Sequence, residues 1–213
     1  MPRTIALFGA TGRAGGQVLS RLLARGDAVR ALVRDPARLT PAPGLNILHG
    51  DATDRTAVAE TLTGADAAIS GLGMADITLP STGFSDAVKT IAAALQAGTQ
   101  SGGPRRFVMI AGAGTLPHPE GGFRADRGTP EILKNVVAEH LRNFATLHAS
   151  GLDWTLFCPG NLIDGASPTY EAKPEDWPGQ PGSPTMYAAL AAALVDALDR
   201  PDWIGHRMGM ASV

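Results

Sequence analysis

Residues Ile5 to Gly16 read I-A-L-F-G-A-T-G-R-A-G-G, a short apolar run that ends at once in glycines spaced as Gly9, Gly12 and Gly15. An apolar helical stretch, Val18 to Leu23, follows. Strand, tight turn and helix N-terminus in that order aim free backbone N–H groups and the positive end of a helix dipole at one spot, where a pyrophosphate can sit. Gly9 permits the turn, Gly12 lets phosphates approach the backbone, and Gly15 lets helix and strand pack closely. The expected chemistry is dinucleotide binding, with Gly9, Thr11, Gly12, Arg13, Ala14 and Gly15 around the phosphates.

The second apolar run, A-V-R-A-L-V, leads into Arg34, then Asp35-Pro36-Ala37-Arg38. An acid at such a strand end binds a ribose 2′-OH, whereas a guanidinium suits a 2′-phosphate. Arg34 and Arg38, with Arg13 from the glycine turn, favour NADP(H) over NAD(H); Asp35 keeps a ribose contact open. Ligands of parallel sheets bind beyond the carboxyl ends of the strands, so later strand ends join the same crevice. Asp51, with Ala52, is placed to accept from an adenine amino group, or else to cap its turn. Gly71, Leu72 and Gly73 let backbone pass close to the adenosine. Ala111 and Gly112, and then Pro159, Gly160, Asn161 and Leu162, are expected to flank the nicotinamide.

The elements that must position these residues alternate along the chain. Candidate strands are Thr4–Phe8, Ala28–Val33, Leu45–His49, Ala67–Ser70, Arg106–Ile110, Trp154–Cys158 and Arg207–Ala211. Candidate helices are Gly15–Arg25, Thr56–Leu62, Phe84–Ala97, Pro130–Ser150 and Met186–Leu198, with Gly26, Gly64, Gly98 and Gly151 where helices would end. The pattern predicts an α/β fold: one doubly wound, Rossmann-like parallel sheet with helices on both faces and a small C-terminal substrate region, all in a single domain over residues 1–213. The stretch 164–186 stands apart. Pro168, Pro174, Pro178, Pro181 and Pro184 exclude a regular helix or central strand there, leaving a substrate loop or a surface insertion, with Tyr170 and Trp177 as its ligand-facing aromatics.

The 213 residues suffice for one substantial core, and 44% hydrophobic with 18% charged residues fits a globular protein. A net charge of −2 gives no case for nucleic acid or an anionic membrane as partner. The lone Cys158 excludes an internal disulfide and reads as a buried thiol. His49, His118, His148 and His206 lack metal-ligand spacing, so no metal is expected. With no signal peptide or membrane span in view, a cytoplasmic location is expected, as monomer or homodimer.

Taken together, I-A-L-F-G-A-T-G (Ile5–Gly12), L-V-R-D-P-A-R-L (Leu32–Leu39), G-D-A (Gly50–Ala52), L-P-S-T-G-F-S-D-A (Leu79–Ala87), E-H-L-R (Glu139–Arg142) and S-G-L-D-W-T-L-F-C-P-G (Ser150–Gly160) span nearly the whole chain. The chain resembles the atypical short-chain dehydrogenase/reductases, within the NAD(P)H-binding, NmrA-like group and nearest the biliverdin reductase B/flavin reductase branch. The resemblance implies an NADPH-dependent reductase in which a flavin is a substrate and not a bound group. It also places Ser81 and Thr82 by the nicotinamide, where they otherwise cap a helix.

The wider superfamily's Tyr-x-x-x-Lys is missing, since Val136 and His140 fall at those positions. A phenol that protonates a carbonyl is therefore lacking. The expected activity is hydride transfer from NADPH to a small planar acceptor such as a flavin or quinone, with His140 the candidate catalytic residue and Ser81, Thr82 and Trp177 the candidate substrate contacts. The alternatives are a non-catalytic NADP(H) sensor and a sugar-nucleotide or small-carbonyl epimerase or reductase. Asn161 stands where that branch often carries a histidine.

Overall fold

Short apolar runs alternate with amphipathic stretches, and in the computed structural model they form a mostly parallel sheet flanked by helices. The structure describes residues 2–180 and 182–213. In chain order the elements are β1 (Thr4–Phe8), α1 (Arg13–Ala24), β2 (Ala28–Val33), β3 (Leu45–His49), α2 (Arg55–Leu62), β4 (Ala67–Ser70), α3 (Gly83–Thr99), β5 (Arg106–Ile110), α4 (Lys134–His148), β6 (Asp153–Pro159), β7 (Leu162–Ile163), β8 (Tyr170–Pro174), β9 (Thr185–Met186), α5 (Tyr187–Asp196) and β10 (His206–Ser212). The main sheet runs β3-β2-β1-β4-β5-β6-β10-β8. Its strands pair in parallel except β8, which lies antiparallel along β10. Strand order reverses between β1 and β4, which opens a crevice beyond Phe8 and Ser70.

Alternating side chains of each strand feed two separate cores. Ile5 and Leu7 pack with Val18 and Leu22 of α1 and Leu190 and Leu194 of α5. Ala6 and Phe8 pack on the other face with Val58 of α2, Val88 and Ile91 of α3, and Leu147 of α4. Helix α5 is apolar on every side, and every residue from Tyr187 to Val195 is buried. The doubly wound arrangement read from the sequence is the one observed.

Several boundaries differ from expectation, each for a local reason. Helix α1 begins at Arg13, so Gly15 lies inside its first turn. The run Pro130–Ser150 is not one helix: Pro130 holds extended backbone, a 3₁₀ turn follows over Glu131–Leu133, and α4 starts at Lys134. Helix α5 stops at Asp196 and tightens into a 3₁₀ turn over Ala197–Asp199. Gly98 is no terminator, because α3 continues to Thr99; the left-handed glycine there is Gly102 (φ 76°).

The Pro/Gly-rich stretch departs most from the expected open loop. It contains β8, an edge strand, where proline is tolerated. The chain reverses at Glu175 (φ 57°), whose carboxylate accepts from Arg207 N and Nε, both at 2.8 Å. It then folds back over the sheet, with the Asp176 carbonyl against Gly209 and the Trp177 ring against Gly160. Trp177 is buried in the core of the α2/α3/α4 face. The stretch thus covers part of the sheet itself. Pro181 lies outside the described residues.

Candidate functional site

Three glycine backbones meet at the mouth of the crevice. Gly9 takes φ 84°, and a Cβ there would lie 2.8 Å from Gly71 C. A Cβ on Gly15 would collide with the Gly9 carbonyl, and one on Gly71 would lie 3.0 Å from Gly15 Cα. Only glycine allows β1, α1 and β4 to come this close. Gly12 N donates to Gly9 O at 3.0 Å, closing the turn. Gly12 is the N-cap of α1 and supplies no side-chain cap, so the first-turn N–H groups from Arg13 onward remain available to an anion. Above this floor, a Cβ on Gly73 would find no protein atom within 4 Å. The cradle has the space and the donors that a dinucleotide pyrophosphate needs.

A cleft of about 540 Å³ runs from this turn toward α3, lined among others by Gly9, Thr11, Arg34, Asp51, Ala52, Leu72, Gly73, Met74, Ser81 and Phe84. It gathers residues from the ends of β1, β2, β3 and β4 and from the start of α3. Arg34 is exposed and, among the described residues, has no ion pair. Arg38 donates from Nη2 to Thr11 O at 3.3 Å, drawing the post-β2 turn against the glycine turn. Asp35 accepts from Ala37 N at 3.1 Å and caps the 3₁₀ turn Pro36–Arg38.

Asp51 Oδ1 accepts from Thr53 N and Oγ1 at 2.9 and 2.7 Å. These bonds, the hydroxyl's first, together with the Arg34 cation, hold its carboxyl below its ordinary range against a modest burial penalty. The turn-capping role is therefore present, and the same ionised carboxylate lines the cleft. Arg13, in the first turn of α1, packs its guanidinium over the Tyr187 ring, 4.6 Å from the centroid.

Farther along the crevice, at the end of β5, a Cβ on Gly112 would lie 2.8 Å from His140 Cδ2. Helix α4 holds that ring half-buried, and Phe84 meets it edge-on at 5.5 Å. Burial drives the His140 pKa down to about 4, only partly opposed by the Glu139 charge, so the ring is neutral at physiological pH. Ala111 is buried, and Ala111 N donates to Phe157 O at 2.7 Å. At the end of β6, Pro159 is buried, Gly160 packs on Trp177, Asn161 accepts from Thr185 N through its carbonyl at 2.9 Å, and Leu162 pairs with Thr185 in β7–β9. These residues sit beyond the lining of the cleft.

Ser81 lies at the rim, and its hydroxyl accepts from Gly83 N at 3.1 Å, capping the turn into α3. Thr82 is the N-cap residue of α3 without a side-chain cap. Trp177 does not face a ligand: it is 5% exposed, wedged beneath Gly160. Its distance in sequence from the apolar core hid that role.

The sequence reading also missed Glu139. Its carboxylate is fully buried and accepts from Ser85 N (2.8 Å), Ser85 Oγ (2.9 Å) and Arg142 Nε (2.8 Å). Burial resists its ionisation, yet the Ser85 and Arg142 bonds outweigh that and hold the pKa below the ordinary value. Arg142 also donates to Ser81 O at 3.2 Å, so Glu139 and Arg142 tie the rim of the cleft to α4. The Glu-x-x-Arg spacing was the available signal.

Cys158 is the expected buried thiol, pushed up to about 12 by burial and 3.3 Å from Thr115 Oγ1. Among the described residues no cluster of His, Cys, Asp or Glu could hold a metal, and no helix is long and apolar enough to cross a membrane.

Known proteins share this layout. A protein of Burkholderia pseudomallei, provisionally described as exported, is 29% identical with a TM-score of 0.79 over 98% of this chain and 99% of its own. One of Streptococcus pneumoniae TIGR4, provisionally named an NADH-flavin reductase, is 24% identical with a TM-score of 0.81 over 99% and 100%. One of Bacteroides thetaiotaomicron, provisionally named an epimerase, is 26% identical with a TM-score of 0.81 over 100% and 98%. The sequence model of the NAD(P)H-binding family matches residues 9–201, from the first glycine of the turn to the approach of β10. A glycine cradle at the β1/β4 switch point, an uncapped α1 and a match of that length agree: this chain belongs to the NAD(P)H-binding family.

Proposed function

We propose that the protein is an NADPH-dependent oxidoreductase that passes hydride to a flavin, quinone or similar planar acceptor, with any flavin a substrate. The observation that carries this reading is the absence of a phenol at the reactive end of the crevice. Val136 stands at the tyrosine position of the superfamily motif. Of the two tyrosines, Tyr170 donates to Asp196 Oδ2 at 2.8 Å, and Tyr187 is buried beneath Arg13. A carbonyl acceptor needs a positioned acid; a flavin or quinone takes its proton from water once hydride has arrived. The neutral His140 beside Gly112 is the candidate catalytic residue. The provisional name of the Streptococcus protein supports the same acceptor class.

In this reading the cofactor supplies the hydride, and the chain supplies proximity and orientation. The first turn of α1 receives the pyrophosphate, Arg34 and Arg38 the 2′-phosphate, and Asp51 the adenine amino group. Ala111, Gly112 and residues Pro159 to Leu162 shape the nicotinamide face, with Ser81 and Thr82 at the acceptor's entrance.

The test is oxidation of NADPH and of NADH by the purified protein with free FMN, repeated with Arg34→Ala. Brisk oxidation of NADPH is expected, and Arg34→Ala should weaken NADPH binding about tenfold, the equivalent of roughly 1.4 kcal/mol, while leaving NADH almost unchanged. Equal losses for both nucleotides would remove the 2′-phosphate assignment. Tight NADPH binding with no oxidation by flavins or quinones would favour a sensor without turnover.

A further inference from the structure

Helix α4 buries polar atoms that the site as described does not use. His140 Nδ1 is enclosed and makes no hydrogen bond to another protein group, and neither do Nδ2 and Oδ1 of Asn143. Asn143 is completely buried. Buried donors and acceptors in native proteins are almost always paired, with protein or with an ordered water. Residues three apart on a helix are neighbours, with Cβ atoms roughly 5–6 Å apart, so His140 and Asn143 are neighbours along α4.

Among the described residues, no hydrogen bond reaches His140 Nδ1 from its other neighbours. Phe84 of α3 lies at right angles to the ring with centroids 5.5 Å apart, and a Cβ on Gly112 would lie 2.8 Å from Cδ2. Glu139, the one charged neighbour on α4, is occupied by Ser85 and Arg142. With Nδ1 enclosed, Nε2 is the outward nitrogen of the half-buried ring. In a neutral imidazole one nitrogen donates and the other accepts, and the partner of one decides the role of the other.

We propose that Asn143 is a positioning residue whose amide hydrogen-bonds His140 Nδ1 through one enclosed water and holds the ring in a single tautomer. Nε2 then always presents the same hydrogen-bonding character to whatever lies over Gly112. The consequence for hydride transfer rests on the function proposed above; the tautomer itself does not.

Long-range ¹H–¹⁵N correlation NMR at neutral pH, on protein labelled at histidine, tests this without turnover. The intact protein should show one pyrrole-like and one pyridine-like nitrogen for His140. In Asn143→Ala, both should move toward tautomer-averaged positions. Asn143→Leu, which fills the same space with apolar atoms, should show the same movement and guards against a poorly folded alanine variant. An averaged His140 in the intact protein, or shifts unchanged in both folded variants, would overturn the proposal. Failure of the functional reading shows separately, as intact protein that binds NADPH and oxidises none with FMN.

Discussion

At the scale of single residues, two groups on α4 respond to acid for opposite electrostatic reasons. Glu139 is ionised in a buried setting because Ser85 and Arg142 bond the charged form. Its folded pKa lies below its unfolded value, so its stabilisation is present above the unfolded pKa and fades as pH falls through the folded one. Glu139→Gln should lower stability at neutral pH by about 2 kcal/mol. Denaturant melts of both proteins should converge only once the pH has fallen through the folded pKa, which lies below the ordinary range of a glutamate. His140 stays neutral down to about pH 4. The unfolded chain therefore takes up a proton between its ordinary value near 6.5 and about 4 that the native protein refuses, and stability falls as pH drops across that window. His140→Gln should flatten that limb of the stability curve. A pH–rate profile should likewise show no ionisation of His140 near neutrality.

The elements divide by how far their signals are local. The glycine turn was legible because Gly9 and Gly15 act within one strand–turn–helix unit. The part played by Gly71 was read as access for adenosine, and its contact with Gly15 joins parts of the chain that no local pattern connects. Edge strand β8 was hidden by prolines, although Y-E-A-K-P alternates inward Tyr170 and Ala172 with outward Glu171 and Lys173. Proline counts exclude a central strand, not an edge. Trp177 illustrates the same limit: an aromatic in a polar stretch reads as ligand-facing until the reversal at Glu175 carries it back over the sheet. Gly15 inside α1 and Gly12 at its N-cap should separate experimentally. Gly15→Ala forces a methyl into the Gly9 carbonyl and should cost about 3 kcal/mol or prevent folding. A Cβ on Gly12 meets nothing closer than Gly9 O at 3.4 Å, so Gly12→Ala should keep its melting temperature but bind NADPH more weakly, because the methyl enters phosphate space. Thermal melts with and without nucleotide distinguish the two.

For the molecule as a whole, a doubly wound parallel sheet with helices on both faces followed from alternation, because parallel strands buried on both faces leave few ways to place connecting helices, whereas the strand order is set by pairings that alternation does not specify. The division of labour at the C-terminal end did not follow, since it depends on contacts between segments far apart in sequence. The meeting of Gly9, Gly15 and Gly71 carries a consequence for folding. The nucleotide cradle is complete only after β4 has docked beside β1, and the chain between those two strands runs through β2, β3 and α2. No partly folded form made of the first turn and helix alone would hold the ligand well. Nucleotide binding should therefore report on the assembled sheet, and ligand at a hundredfold excess over its Kd should add about 2.7 kcal/mol against global unfolding. In hydrogen exchange, that protection should reach the amides of β4 and β5 as fully as those of the glycine turn itself.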